Sequence, residues 1–289
     1  MNIFSHWFST KTEQHVNDIQ NPWAGLASYE DPESANQKLK FCGRDDEAYD
    51  MSRLIMGNLV VTLYGKSGIG KTSLLNAGIF PELRTNNFSP KNIRVGLCPG
   101  NYQNCILKAI ESSVPTIETI DIIPQQVDEQ ALDFLWNYFA RHRFYNKVGE
   151  QTTPVIVLDQ FEEIFKNNSF ETEVLLRQLD YMNDKDHHLD SYDIDGYTYH
   201  YETNFRFVIS IREDDLYKLE DCLDNCYLPA LKRCRYRLRS LSEQGARDVI
   251  MLPVQNLWVI SEQEDIIKSI LHIVRNKDDN SISTNLLSL

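Results

Sequence analysis

The 289-residue sequence has no run of about eighteen apolar residues, so no stretch of it is built to cross a membrane as a helix. Its N-terminus lacks the basic start and long apolar core of a secretory leader. The short aromatic patch "FSHWF" (Phe4 to Phe8) reads as a tail or partner contact instead of an anchor. Positive charge is scarce: 29 Lys and Arg against 42 Asp and Glu leave a net charge of −13. That balance argues against nucleic acid as a direct ligand, because neutralising phosphates needs clustered Lys and Arg. It leaves room for a local basic groove. Signs of disulfides are missing too. The six cysteines (Cys42, Cys98, Cys105, Cys222, Cys226, Cys234) include no Cys-x-x-Cys pair and read as reduced thiols in a cytosol. What is present is ordinary for a globular chain, 42% hydrophobic and 25% charged. The length suits one large domain or two small ones with a substantial core.

Four apolar segments organise the chain. "LVVTLY" (59–64) and "PVIVLD" (154–159) are short continuous runs, as expected of strands buried on both faces of a parallel sheet. "FRFVISIR" (205–212) is a third such run, and a further strand is expected at "NIRVGLC" (92–98). Helical spacing of Ala48, Met51, Leu54 and Ile55 predicts a helix from Arg44 to about Asn58. Further helices are expected from Lys71, near 102–112, over 128–146 and over 170–183. The alternation implies an α/β fold, a parallel sheet flanked by helices. After Leu241 the pattern changes to two amphipathic helices, "LSEQGARDVIMLP" and "EQEDIIKSILHIV". The expected division is an extension over 1–20, a core over 21–240 and a helical lid over 241–289.

"LYGKSGIGKTSLLNAG" (63–78) carries the densest chemistry. Gly65, Gly70, Lys71 and Thr72 satisfy every fixed position of Gly-x-x-x-x-Gly-Lys-[Ser/Thr], the phosphate loop of nucleotide hydrolases. Glycines let successive backbone N–H groups point at phosphate oxygens, and the following helix adds its positive N-terminal end. Lys71 would reach the β- and γ-phosphates, and the Thr72 hydroxyl would bind Mg²⁺. Such a match arises by accident in roughly one chain in a hundred of this length. A bare Gly-rich turn would still have to account for the strand before it and the helix after it.

A second acidic site is required to hold the metal. Asp159 ends "PVIVLD", 87 residues after Thr72 (159 − 72), at the strand end where ligands sit in open parallel sheets. It would bind Mg²⁺ through water. Glu162 and Glu163 follow, and one of them could orient or deprotonate the attacking water. The bland reading of this stretch is a helix start made acidic by the helix dipole. Arg212, leaving its strand at the same edge, could sense the γ-phosphate, although charged residues often end strands.

In order along the chain, "NPWAGLASYEDPE", "FCGRDDE", "LYGKSGIGKTSLLNAGIFPELR", "VIVLDQFEEIF", "FVISIREDDLYKLE" and "YRLRSLSEQGARDVIMLP" resemble the STAND class of signal-transduction ATPases. The resemblance covers roughly residues 21 to 255 and is greatest to the bacterial novel-STAND ATPases, some of which belong to antiphage defence systems. It implies a module that holds ADP at rest, exchanges it for ATP on triggering, then self-assembles and activates an effector. By position, Phe41, Gly43 and Arg44 match an element near the adenine base. Gly65, Lys66, Ser67, Gly68, Ile69, Gly70, Lys71, Thr72 and Ser73 match the phosphate loop and its first helical turn. Asp159 matches the metal-binding acid, Glu162 and Glu163 the paired acids, and Arg212 the sensor arginine. Three departures stand out. About 20 residues precede the module, the sequence ends at "SISTNLLSL" where relatives continue, and a usual proline is replaced near Thr284 or Asn285. The expectation is an excised piece of a longer protein, with effector and sensor parts outside it.

Other clusters have plain readings. "NDKDHHLDSYDIDGYTYHYETN" (183–204) gathers acids with His187, His188 and His200, but its spacing fits a hairpin around Asp195-Gly196 better than a metal site. Cys222, Cys226 and Cys234 lack an obvious fourth zinc ligand. "LKRCRYRLR" (231–239) alternates like a strand with its cations on one face, suited to phosphate or subunit contact. The rival functions are an AAA-type motor, which needs an arginine finger and fast turnover, and a scaffold that binds nucleotide without hydrolysis. The paired glutamates argue against the scaffold.

Overall fold

The computed structural model describes residues 28–31, 41–98, 101–119, 131–166, 170–183, 191–194, 197–200, 204–226, 234–252, 263–276 and 281–283. The extension over 1–20, His187, His188, Asp195, Gly196, Lys232, Arg233, Thr284 and Asn285 lie outside the described residues. The chain divides into two compact units: one of residues 46–67 and 79–239, the other of residues 1–45, 68–78 and 240–289.

The first unit is built on five strands, β1 (Val60–Gly65), β2 (Phe88–Arg94), β5 (Thr153–Asp159), β8 (Arg206–Arg212) and β9 (Arg235–Arg237). They form one sheet in the order β2-β5-β8-β1-β9, with every neighbouring pair parallel. The three central strands are the continuous apolar runs of the sequence, and all seven residues of β5 are buried. Pro154, which has no N–H to give, lies before the ladder to β8, whose pairs begin at Val155 and Arg206. Phe139, Phe144, Phe205 and Phe207 fill the core beside the sheet, with Phe139 and Phe205 ring centroids 4.9 Å apart.

The helices of the sheet unit are α1 (Asp45–Gly57), α3 (Phe80–Thr85), α4 (Tyr102–Ser113), α5 (Phe134–Arg141), α6 (Phe170–Asn183) and α7 (Leu216–Cys226), and the short α2 (Lys71–Ser73) belongs to the other unit. Between α2 and α3 the chain forms a π-helical stretch, Leu74–Ile79. Pro81 follows in the first turn of α3, where it cannot donate to the carbonyl four residues back, so the helix widens before it. Strands β6 (Ser191–Ile194) and β7 (Tyr197–His200) pair antiparallel with Ile194 opposite Tyr197, the hairpin expected there.

Two elements differ from expectation. The strand placed at 92–98 runs instead over Phe88–Arg94, and Val95–Leu97 is a 3₁₀ turn. Pro90 and the polar residues around it hide a strand that lies at the sheet edge, where proline is tolerated. The helix expected over 128–146 is described as α5 alone, and the chain then enters β4 (His142–Tyr145), antiparallel to β3 (Thr116–Thr119). Aromatic Phe144 and Tyr145 suit a strand, and the Phe144 carbonyl accepts from Thr152 N at 2.8 Å.

His142, on β4, stacks on Tyr138 with centroids 4.3 Å apart, and its Nδ1 lies 2.6 Å from the Tyr138 carbonyl oxygen. Burial holds its pKa below the ordinary 6.5, with Arg141 adding to the effect and the carbonyl opposing it. The unfolded chain therefore takes up this proton at higher pH than the folded one. Stability present above about pH 6.5 is lost as pH falls through the folded value. His142→Asn should lose less stability than the parent between pH 7 and 5.5, measured by urea unfolding at each pH.

In the second unit, α8 (Glu243–Met251) and α9 (Gln263–Val274) enclose a small core of Leu241, Ala246, Ile250, Ile267, Leu271, Val274 and Ile282. The Ser242 hydroxyl caps α8 by accepting from Gly245 N at 3.0 Å. Among the described residues no helix is long and apolar enough to cross a membrane.

Candidate nucleotide site

Within the sheet unit, the functional candidates collect at the C-terminal ends of the central strands. Gly65 ends β1 opposite Arg212, which ends β8. The last ladder pair between β5 and β8 is Leu158 with Ile209, so Asp159 falls beside Ser210. Asp159 is buried, and its Oδ1 accepts a hydrogen bond from the Ser210 hydroxyl at 2.7 Å. Sequence reasoning missed Ser210, whose signal is visible only once strand register is known.

Gln160 then adopts φ 55°, a left-handed conformation that a non-glycine residue takes at some cost. The turn sends the chain into the 3₁₀ stretch Phe161–Lys166, with Phe161 and Ile164 buried in the core. Glu162 is brought back to the sheet edge, 7% exposed. Its Oε1 lies 2.8 Å from Arg212 Nε, and its Oε2 accepts from the Arg212 backbone N–H at 3.3 Å. Arg212 is half-exposed. Glu163 is half-buried beside Gly96 and pairs with Lys166 at 2.6 Å. The structure therefore joins Asp159, Glu162 and Arg212 at one edge, while Glu163 is engaged by Lys166. In the basic cluster, Arg235 pairs with Glu220 at 2.6 Å and Arg237 pairs with Glu213.

The division between the units falls inside the glycine-rich loop, between Ser67 and Gly68. Gly65, Lys66 and Ser67 leave β1 with the sheet unit. In the other unit, Gly68 has φ 70° and Gly70 has φ 97°, both left-handed. A β-carbon at Gly70 would meet nothing within 4 Å, so its glycine answers the backbone angle and leaves open space beside the chain. Gly70 precedes α2, and its carbonyl accepts from Leu74 N at 2.9 Å. Lys71 and Thr72 open the helix, half-buried. The first-turn N–H groups of such a helix have no partner within it, which is what an anion requires.

Ser73 serves the scaffold: its hydroxyl accepts from Tyr29 N at 3.2 Å, while Asn76 Nδ2 donates to the Tyr29 carbonyl at 3.1 Å. The Tyr29 ring meets Phe41 edge-on at 5.4 Å. Sequence reasoning marks neither Tyr29 nor Asn76, since their contacts join segments more than 40 residues apart. Arg44 is buried, and its Nη2 donates to the Ile69 carbonyl inside the loop at 3.0 Å.

Taken unit by unit, the donors present are of the kinds that a magnesium nucleotide requires. The loop offers glycine-freed backbone, a cation in Lys71 and a hydroxyl in Thr72; the sheet edge offers a buried, hydrogen-bonded carboxylate in Asp159. Oxygen donors of this kind suit Mg²⁺, which takes one or two protein oxygens and fills its shell with phosphate and water. Among the described residues no group of three His, Cys, Asp or Glu side chains could hold a metal by itself.

No curated protein matches the chain. Solved structures do, at the level of fold. The ORC2 protein of Aeropyrum pernix, in its ADPNP–ADP complexes, aligns with a TM-score of 0.51 and 12% identity over 90% of this chain and 62% of that one. A Walker-type ATPase of Pyrococcus abyssi gives 0.51 and 13%, covering 91% of this chain and 68% of that one. The Aeropyrum pernix ORC1 protein in complex with DNA gives 0.51 and 11%, covering 93% and 63%. The chain thus spans less than two thirds of the length of these ORC proteins. A parallel sheet with a phosphate loop after its β1 strand is the P-loop NTPase fold. The profile of one such family, novel STAND NTPase 1, matches residues 22–281, and the chain belongs to that family.

Proposed function

We propose that this NTPase is an ATP- and ADP-responsive switch of the STAND type, hydrolysing ATP slowly in the cytosol. In this reading the bound nucleotide governs self-assembly and the action of effector and sensor segments or proteins outside this chain. The observation that carries it is the Glu162–Arg212 pair. Glu162, one of the two acids that could activate water, has both oxygens engaged by one arginine. A base held in that way suits an enzyme that waits more than it turns over.

The roles follow the site. The backbone of Gly65 to Thr72 and the Lys71 ammonium bind the β- and γ-phosphates, with Ser73 keeping the following turn in place. The Phe41–Arg44 turn lies toward the adenine. Thr72 and Asp159 would hold Mg²⁺, which when bound neutralises charge between the β- and γ-phosphates. Ser210 orients Asp159. Arg212 senses the γ-phosphate, and Glu162 accepts the proton of the attacking water when Arg212 turns from it. A part in antiviral defence rests on the family resemblance alone. Direct action on DNA has less support, since Arg235 and Arg237 are already paired with acids and the net charge is −13.

The test is the nucleotide carried by the purified chain, extracted and separated by chromatography, beside its steady-state turnover and its mass by light scattering. Retained ADP and turnover below about 0.1 s⁻¹, the range of unassisted switch NTPases, are expected. Empty protein that hydrolyses ATP rapidly and forms ring-sized oligomers would point to a motor instead.

A further inference from the structure

Three consecutive residues of the second unit touch two distant parts of its sequence. Gly43 has φ 78°, and a β-carbon on it would run into the carbonyl oxygen of Gly245 and lie 2.8 Å from Val249 Cγ2. Conversely, a β-carbon on Gly245 would lie 2.5 Å from the Gly43 carbonyl oxygen. Two backbones meet here with no side chain between them. On one side of this contact Cys42 Sγ donates to the Asp248 carbonyl at 3.6 Å. On the other, Arg44 donates to Ile69 at 3.0 Å. Helix α8 is itself tied to α9 and its C-terminal end: Arg247 pairs with Glu264 at 3.1 Å, and Arg275 with Glu243 at 2.9 Å.

The Ile69 carbonyl and the Gly70 N–H belong to one planar peptide, so fixing the direction of the first fixes the second. That peptide lies between Gly68 and Gly70, both left-handed, in the most freely rotating part of the loop. We propose that the Cys42–Arg44 turn relays the position of α8 to the phosphate loop, with Arg44 and Gly245 as positioning residues that aim the Gly70 N–H at phosphate. This rests on the reading that the loop holds nucleotide. Docking of α8 on Gly43 then favours bound ADP, and displacement of α8 loosens the loop and releases it. Because a ligand and a helix position that bias one element must be reciprocally coupled, nucleotide in turn pulls α8 onto the turn.

The experiment measures ADP affinity by calorimetry for the full 289-residue chain and its variants. Gly245→Ala should weaken ADP binding by roughly 5- to 150-fold, the span of ordinary coupling between sites. Arg44→Met should do likewise, and Arg44→Lys, which keeps one donor for Ile69, should recover most of the loss. The double variant Gly245→Ala/Arg44→Met should bind no more weakly than the worse single one, since both break the same chain of contacts. Val249→Phe wedges the same contact from a half-buried position and replaces Gly245→Ala if that variant does not fold. Leu179→Ala, in the core of the sheet unit, serves as a control: it lowers Tm but should leave ADP affinity within about twofold of the parent. Effects of Arg44→Met and Gly245→Ala that multiply independently would overturn the relay, as would parental affinity in folded Gly245→Ala or Val249→Phe. If the parent chain binds no ADP, the assignment of the nucleotide site falls, and the relay with it.

Discussion

Lys71→Ala is expected to abolish measurable ATP and ADP binding while the chain stays folded. Lys71 is the first residue of α2, half-buried and outside the apolar cores, so its loss opens no cavity. What is removed is the ammonium proposed to reach the β- and γ-phosphates. Hydrogen bonds to charged groups contribute about 1.5–3 kcal/mol each. Losing two of them weakens binding by about a hundredfold or more. Calorimetry measures the affinity, and circular dichroism checks the fold. Unchanged affinity in a folded Lys71→Ala chain would remove the loop from the site.

The second large effect concerns turnover at constant affinity. Glu162→Gln should leave ATP binding near the parent value and slow hydrolysis by about 10²-fold or more, as expected when a general base is lost. It should cost roughly 1–3 kcal/mol in stability, because Glu162 is buried with both oxygens accepting from Arg212 and glutamine turns an amide N–H₂ toward one of those donors. Single-turnover kinetics with saturating ATP separates this effect from binding. Glu163→Gln, at an acid that pairs with Lys166, should leave turnover unchanged. If Glu163→Gln slows hydrolysis and Glu162→Gln does not, the roles of the two are reversed. If neither does, the base is another group.

The strands β1, β5 and β8 were legible because each is buried on both faces and so appears as an unbroken apolar run. The parallel α/β class followed from their spacing. The edge strand β2 was shifted because Pro90, Lys91 and Asn92 carry no such pattern. β4 was concealed because an amphipathic helix runs directly into it at His142. In the site, the positions of Asp159 and Arg212 at strand ends were readable, since sheet geometry brings strand termini to one edge. The bond from Ser210 to Asp159 depends on the register between β5 and β8 and has no local signature. The engagement of Glu162 by Arg212 joins residues 50 apart through the left-handed turn at Gln160. Gly245 looked like any helical glycine until its carbonyl was found against Gly43. Long-range closeness of this kind is set by packing, and packing is not written into any short window of sequence.

The outer strands of the sheet bear on how copies of the protein can join. At one border β2 interrupts its free backbone edge with Pro90 and places Lys91 beside it. At the other, β9 spans three residues, two of them arginines already matched to acids. Short length, proline and charge are the devices by which sheets refuse an additional strand from outside. Among the described residues, both borders of the five-stranded sheet therefore resist the addition of another strand. A ring or stack of copies would then rest more on contacts between helices and loops than on extension of this sheet. Such contacts can be made and released as those elements shift, whereas a continuous sheet would lock the assembly in place.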